Sequence, residues 1–201
     1  MLLSTRLNMN SDRMQAGIDG TTLLEEISAE GLRCYLGDGR AKSMIFGTSA
    51  GSANFAGRVT ALCKDIGEGF QFRNNQNLPM DVKDDKLDVV AWIPFADAKS
   101  SKIIVFGQCK TGTAWTQQLC HLQPDAFIKK WIDTPFTYDP ARAYLLSEAV
   151  DRSRWAGYAI DGGLLFDRCR LVDCCSQIDQ ALLERVVDWS TAALVIAKSK
   201  L

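Results

Sequence analysis

Apolar residues recur along this chain with two periods. Leu23, Leu24, Ile27, Leu32 and Tyr35 follow helical spacing behind the polar run Asp19-Gly20-Thr21-Thr22. Thr22 and Glu25 have the form of a capping box, so a helix is expected to start there and to end at Gly37 and Gly39, with Gly31 weakening its middle. Phe55, Val59, Leu62, Cys63 and Ile66 repeat the helical period, and Gly67-Glu68-Gly69 stops it. The pattern then changes. Residues 87–92 and 102–110 are short, β-branched apolar runs separated by the turn-rich residues 94–101, which predicts an antiparallel hairpin.

On either side of this hairpin the pattern is less regular. Phe70-Gln71-Phe72 is expected to open the sheet, residues 40–57 to be a flexible connection, and residues 73–85 a polar loop. Trp115, Leu119 and Leu122 predict a helix after the hairpin, and Phe127, Ile128 and Trp131 another short one. Residues 143–146 and 158–160 read as strands or short helices completing the sheet. Residues 162–171 read as a turn into a strand that places Arg168 and Arg170 on one face. Ile178, Leu182, Leu183, Val186, Val187 and Trp189 predict a closing amphipathic helix. The expectation is an α/β protein: a loose arm over residues 1–18, then one domain, residues 19–201, with a central mixed sheet of about five strands flanked by helices.

Composition narrows this reading. A chain of 201 residues with 47% hydrophobic and 23% charged residues suits one full-sized globular domain. No apolar run approaches the roughly 18 residues of a spanning helix, and the first residues lack the apolar stretch of a secretory signal, so a cytoplasmic protein without a membrane partner is expected. Seven cysteines, an odd number without paired C-x-x-C knuckles and beside a single histidine, His121, point to free thiols, not to a disulfide framework or a zinc site. A net charge of −1 is low for a protein that grips nucleic acid unaided, although a local groove or a protein partner can supply the grip.

The hairpin carries polar residues that a plain core would not need. Asp88 lies in the first run. Gln108 and Lys110 end the second, and their i, i+2 spacing puts both on one face of an extended strand. A carboxylate, an amide oxygen and an ammonium then converge beside an apolar sheet, which suits a divalent cation and an activated water. As isolated features, Asp88 would be an ordinary strand-edge residue and Gln108-Cys109-Lys110 an ordinary strand exit; the combination favours a site.

In this order, Asp then a hairpin then Gln-x-Lys, the residues resemble the core of the PD-(D/E)xK nuclease superfamily, in the variant where glutamine replaces the acidic residue, as in Mrr-like endonucleases. Asp85-Lys86-Leu87-Asp88 resembles the run that opens the second core strand there, and Leu24-Glu25-Glu26-Ile27 resembles the acidic run of the first core helix. The resemblance covers residues 22–118, about half of the chain. It implies a restriction-endonuclease-like core and a Mg2+-dependent endonuclease acting on DNA, with Mn2+ as substitute, in restriction or anti-phage defence. Glu25, with Glu26 in reserve, Asp88 and Gln108 would hold the metal together with the Cys109 carbonyl, and Lys110 would position and activate water. Gln118 would approach the metal or the phosphate from the following helix. Lys129, Lys130, Arg168 and Arg170 are candidate phosphate contacts, weighed against a simple solvated surface. A protein partner or a homodimer is compatible with this reading. The alternative is an inactive nuclease-fold module that binds nucleic acid or a partner protein in a defence complex.

Overall fold

The structure is a computed structural model, describing residues 7–47, 54–79, 84–175 and 178–199. A short hairpin, β1 (Met14–Gln15) and β2 (Ile18–Asp19), leads into α1 (Gly20–Gly37). β3 (Lys42–Ile45), α2 (Phe55–Ile66), β4 (Val89–Trp92) and β5 (Ile104–Lys110) follow. A 3₁₀ turn over Ala114–Gln118 precedes α3 (Pro124–Trp131) and β6 (Ala141–Leu146). The chain then forms α4 (Trp155–Gly162), β7 (Leu164–Phe166), α5 (Arg168–Cys174) and α6 (Gln180–Ser199).

The central sheet is mixed and five-stranded, in the order β3-β4-β5-β6-β7. β3, β4 and β5 are antiparallel neighbours, with Val89 opposite Gly107 and Trp92 opposite Ile104; β5, β6 and β7 run parallel. Helices cover both faces, which is why β4 reads as an unbroken apolar run. Its residues still alternate by face. Val89 and Ala91 join Val105, Ala143 and Leu145 under Leu24 and Leu32 of α1. Val90 and Trp92 join Ile104 and Phe106 against Val59, Leu62 and Ile66 of α2 and Phe127 of α3. Gly107 lets these layers close up: a Cβ there would come within 2.6 Å of Val89 and 2.8 Å of Leu145.

Several elements depart from the sequence reading, each for a physical reason. Asp19, not Thr22, caps α1, accepting from the Thr21 N–H at 2.8 Å. A carboxylate at that position does the work of the capping box, so Glu25 is not required to reach back to the cap. Residues 7–18, the described part of the expected arm, are not loose. Leu7 and Met9 are buried with Trp189 and Ala193 of α6, and the Trp189 indole donates to the Arg13 carbonyl at 2.8 Å. β3, within the expected flexible connection, is the edge strand of the sheet, whereas Phe72 makes only an isolated bridge to Ile132. Residues 48–53 of that connection lie outside the described residues.

Residues 158–160 belong to α4, and the run after Phe166 is helical rather than extended. Asp167, with no exposed surface, caps α5 by accepting from the Arg170 N–H, so the strand stops where a cap begins. Arg168 and Arg170 are therefore two helical positions apart and do not share a face. The segment after the hairpin is the 3₁₀ turn, still anchored by buried Trp115 and Leu119. All seven cysteines are free, although only Cys63 is fully buried. Among the described residues no helix is long and apolar enough to cross a membrane.

Candidate functional site

A cavity of about 260 Å³ opens beyond the carboxyl end of β5, between the first turns of α1 and the 3₁₀ turn. Sites in sheets with parallel strands favour this end, because there the chain leaves the sheet and loops diverge. Glu25, Asp88, Cys109, Lys110 and Gln118 all line the cavity, with Thr21, Thr111 and Trp115 among their neighbours.

Each polar residue arrives from a different element. Asp88 immediately precedes β4, where its main chain continues the antiparallel ladder: its N–H donates to the Gly107 carbonyl at 3.0 Å. Its carbonyl accepts from Phe46 and Gly47, at 2.7 and 2.9 Å. The side chain then spans the strand gap, one carboxylate oxygen accepting the Cys109 N–H at 2.7 Å. Along β5 the main-chain groups alternate sides. Gly107 and Cys109 turn theirs toward β4, so the Cys109 carbonyl faces the same side as the Asp88 carboxylate.

Glu25 enters from α1, its carboxylate lying over Gly47; a Cβ on Gly47 would meet a carboxylate oxygen at 3.0 Å. The neighbouring Glu26 faces away and forms a two-point ion pair with Arg185 of α6, with oxygens 2.5 and 2.9 Å from the guanidinium nitrogens. Of the two acidic positions, then, Glu25 belongs to the cavity and Glu26 to the α1–α6 contact.

Removal from water dominates the electrostatics. It pushes the Asp88 carboxyl up to about 7; the Cys109 N–H opposes this, the nearby Asp84 reinforces it, and Lys110 and Lys86 pull the other way. Burial, followed by the charge of Asp88, also holds the Cys109 thiol well above its usual range, with Glu25 adding to the effect. Such a thiol is a poor nucleophile. The chemistry at this residue is that of its main chain.

Gln108 takes a different place from the one expected. It has no exposed surface, does not line the cavity, and among the described residues neither its amide oxygen nor its amide nitrogen has a hydrogen-bond partner. In β5 it pairs with Tyr144 of β6, whose hydroxyl is already donated to the Trp115 carbonyl at 3.1 Å. The alternation of β5 does place Gln108 and Lys110 on one face, but only Lys110, at the strand end, reaches the opening.

The expected phosphate contacts are dispersed. Lys129 pairs with Asp125 one helical turn earlier at 2.8 Å. Lys130 pairs with Asp85 at 3.0 Å, and the Trp131 indole donates to the same carboxylate at 2.7 Å, which pins the turn before Asp88. Arg170 donates to the Leu165 carbonyl and stacks on Trp155, 4.3 Å from the ring centre, while Arg152 stands 4.6 Å from it. None of Lys129, Lys130, Arg168 and Arg170 lines the cavity. Asp85, the first acid of the run before β4, is thus engaged by α3; Trp155 was not singled out in the sequence, and only the clustering of charge around its indole marks it.

The residues present fit a divalent cation with hard-ligand preferences. Two carboxylates and a main-chain carbonyl are oxygen donors, and magnesium is typically held by one or two carboxylates while keeping several waters. Among the described residues no group of three or more His, Cys, Asp or Glu side chains is arranged to hold a metal, so water and substrate oxygens would complete the shell. Comparison of the chain with protein-family models, with curated proteins and with solved structures finds no match.

Proposed function

We propose that this chain is a divalent-metal-dependent nuclease with a restriction-endonuclease-like core, hydrolysing phosphodiester bonds in DNA. The observation that carries the reading is the convergence of Glu25, Asp88, the Cys109 main chain and Lys110 on one cavity, delivered by α1 and the β4–β5 hairpin. Glu25 and Asp88 would hold Mg2+, or Mn2+ in its place, with the Cys109 carbonyl as third ligand; the bound ion would lower the pKa of water and draw charge from a phosphoryl oxygen. The Cys109 N–H fixes the rotamer of Asp88 before substrate arrives. Lys110 supplies the cation of the site, donating to the attacking water or to the phosphate as negative charge develops. Gln118 offers an amide at the rim, where a sugar-phosphate backbone would pass.

One observation favours a second reading, that of a nuclease-fold module without catalysis in a restriction or anti-phage complex. With Gln108 buried and not lining the cavity, Glu25 and Asp88 are left as its two side-chain carboxylates. Incubation of supercoiled plasmid with the purified chain in magnesium, manganese or chelator, beside Lys110→Ala, separates the two. Metal-dependent nicking that falls by about 10²–10⁴-fold in the variant supports the nuclease. Equal nicking by both proteins refutes the site, and the absence of nicking by the wild type favours the binding module.

A further inference from the structure

Four arginines stand at the starts of α4 and α5, at the cavity end of the sheet: Arg152 and Arg154 before α4, Arg168 and Arg170 in the first turn of α5. The chain leaves β5 at Lys110, β6 at Leu146 and β7 at Phe166, and these ends lie side by side in the parallel part of the sheet. Main-chain hydrogen bonds tie the exits together. The Ser147 N–H donates to the Lys110 carbonyl at 3.2 Å, and the Arg168 N–H to the Glu148 carbonyl at 3.0 Å. With strands about 4.8 Å apart, the main chain of Arg168 is two strands, roughly 10 Å, from that of Lys110. Trp115 links this row to the cavity that it lines: its indole donates to Glu148 at 2.6 Å, and its ring centre is 4.9 Å from that of Tyr158 on α4.

Two of these guanidiniums are braced against one ring. Arg152 and Arg170 stand 4.6 and 4.3 Å from the centre of Trp155, so their charges lie within about 9 Å of each other, inside the roughly 10 Å over which charge is felt at ordinary salt. Arg152 is 57% exposed and is also held by the fully buried carboxylate of Asp167 at 2.9 Å, while Arg170 donates to the Leu165 carbonyl. A guanidinium has five donors, so one bond to a brace leaves others for a ligand. The acids nearby are engaged or distant. Asp167 has no exposed surface, Asp151 accepts from Ser153 and Glu148 from Trp115, whereas Asp161 and Asp173 lie at the far ends of α4 and α5. A helix start favours acidic side chains over arginine, so helix stability does not account for the cluster.

We propose that this cluster is a phosphate track, on which Arg152, Arg154 and Arg168 hold the sugar-phosphate backbone of the DNA strand that enters the cavity at Lys110. The choice of a DNA strand as ligand rests on the function proposed for the cavity. Planar guanidinium forks match phosphate oxygens in pairs, and bracing them in advance lowers the cost of ordering them on binding. Two guanidiniums already lie against the Trp155 ring, which makes it a brace and not a platform for stacked bases. Backbone contacts of this kind fix the position of the strand without reading its sequence. They also supply locally the grip that a net charge of −1 does not supply globally.

Fluorescence anisotropy of a labelled DNA strand of about 12 nucleotides, and of its duplex, titrated with the full chain in chelator at several salt concentrations, tests the track. Arg154→Ala with Arg168→Ala should weaken binding by about tenfold or more and lower the slope of log affinity against log salt by about one to two. Lys64→Ala with Lys99→Ala removes the same charge from exposed positions at the opposite end of the sheet and should leave affinity within about twofold of wild type. Circular dichroism melts check folding; should the arginine pair melt early, Arg168→Gln alone carries the test, with the slope lowered by about one. Equal binding by wild type and the arginine variants, or the same loss in both pairs, overturns the proposal. Binding is read without metal, so the two readings fail separately. Binding through the arginines without metal-dependent nicking keeps the track and refutes the nuclease, and nicking with an affinity indifferent to the arginines does the reverse. Wild type that binds neither oligonucleotide overturns the track, and its sedimentation with phosphatidylserine vesicles would assign the arginines to a lipid surface.

Discussion

Asp88→Asn should make the metal-free protein more stable at alkaline pH. The carboxylate accepts the Cys109 N–H at 2.7 Å, a bond that an asparagine carbonyl oxygen can also accept. What the substitution removes is a charge whose withdrawal from water has raised the Asp88 pKa from 3.8 to about 7. In the unfolded chain this carboxyl ionises near its ordinary value. As pH rises from about 4 to about 7 the unfolded state releases a proton that the folded state keeps, so stability falls across this window and levels off once the folded form has ionised. The displacement corresponds to at most about 4 kcal/mol. Residual hydration at the cavity mouth reduces it to about 2 kcal/mol.

Urea unfolding of wild type and Asp88→Asn in chelator, at pH 4 and pH 8, reads this directly. The variant should be more stable by about 2 kcal/mol at pH 8, with the difference closing toward pH 4. Asp88→Ala relieves the same charge but leaves the Cys109 N–H without its acceptor, so it should lie about 1–3 kcal/mol below the asparagine variant. Magnesium should raise the midpoint of wild type and not that of Asp88→Asn, because only the former gains a ligand that binds the folded state. An asparagine variant no more stable than wild type at pH 8, or a difference unchanged at pH 4, would refute the reasoning.

Two further perturbations distinguish the site from its scaffold. Glu25→Gln should remove metal-dependent cleavage and magnesium stabilisation together, whereas Glu26→Gln, which loses only the partly exposed pair with Arg185, should cost about 1 kcal/mol or less in urea unfolding and leave cleavage unchanged. Gly20→Ala places a Cβ 2.6–2.8 Å from the Trp189 ring, which the Arg13 carbonyl holds in place. It should destabilise the protein by about 1–3 kcal/mol and lower its melting temperature by several degrees.

The periodic parts of the chain were legible because their chemistry is local. The stripe Leu23, Leu24, Ile27 and Leu32 buries one side of α1, Phe55 to Ile66 forms α2, and the two β-branched runs form the β4–β5 hairpin. β3 was missed because only part of its short Lys-Ser-Met-Ile run is apolar and it gains its ladder from β4, more than 40 residues away. The run after Phe166 was misread because alternation of charged and apolar residues over a few positions fits a strand and a helix start equally well; the buried Asp167 cap decides.

The candidate site divides in the same way. Spacing along the sequence determined that Gln108 and Lys110 share a face of β5 and that Glu25 and Glu26 lie on α1, since strand and helix periods follow from backbone geometry. Only tertiary packing decided that Glu25, not Glu26, lines the cavity with Asp88, because Arg185 lies 159 residues along the chain and captures the neighbour. Only packing decided that Lys110 reaches the cavity while Gln108 does not, since how deeply a strand residue is covered depends on which elements close over it. The same holds for Lys130 and Arg170, whose donors are taken by Asp85 and by the Leu165 carbonyl. Residue type and spacing establish what chemistry a chain can offer; burial and competing partners, set by contacts distant in sequence, determine which of those groups remain available for it.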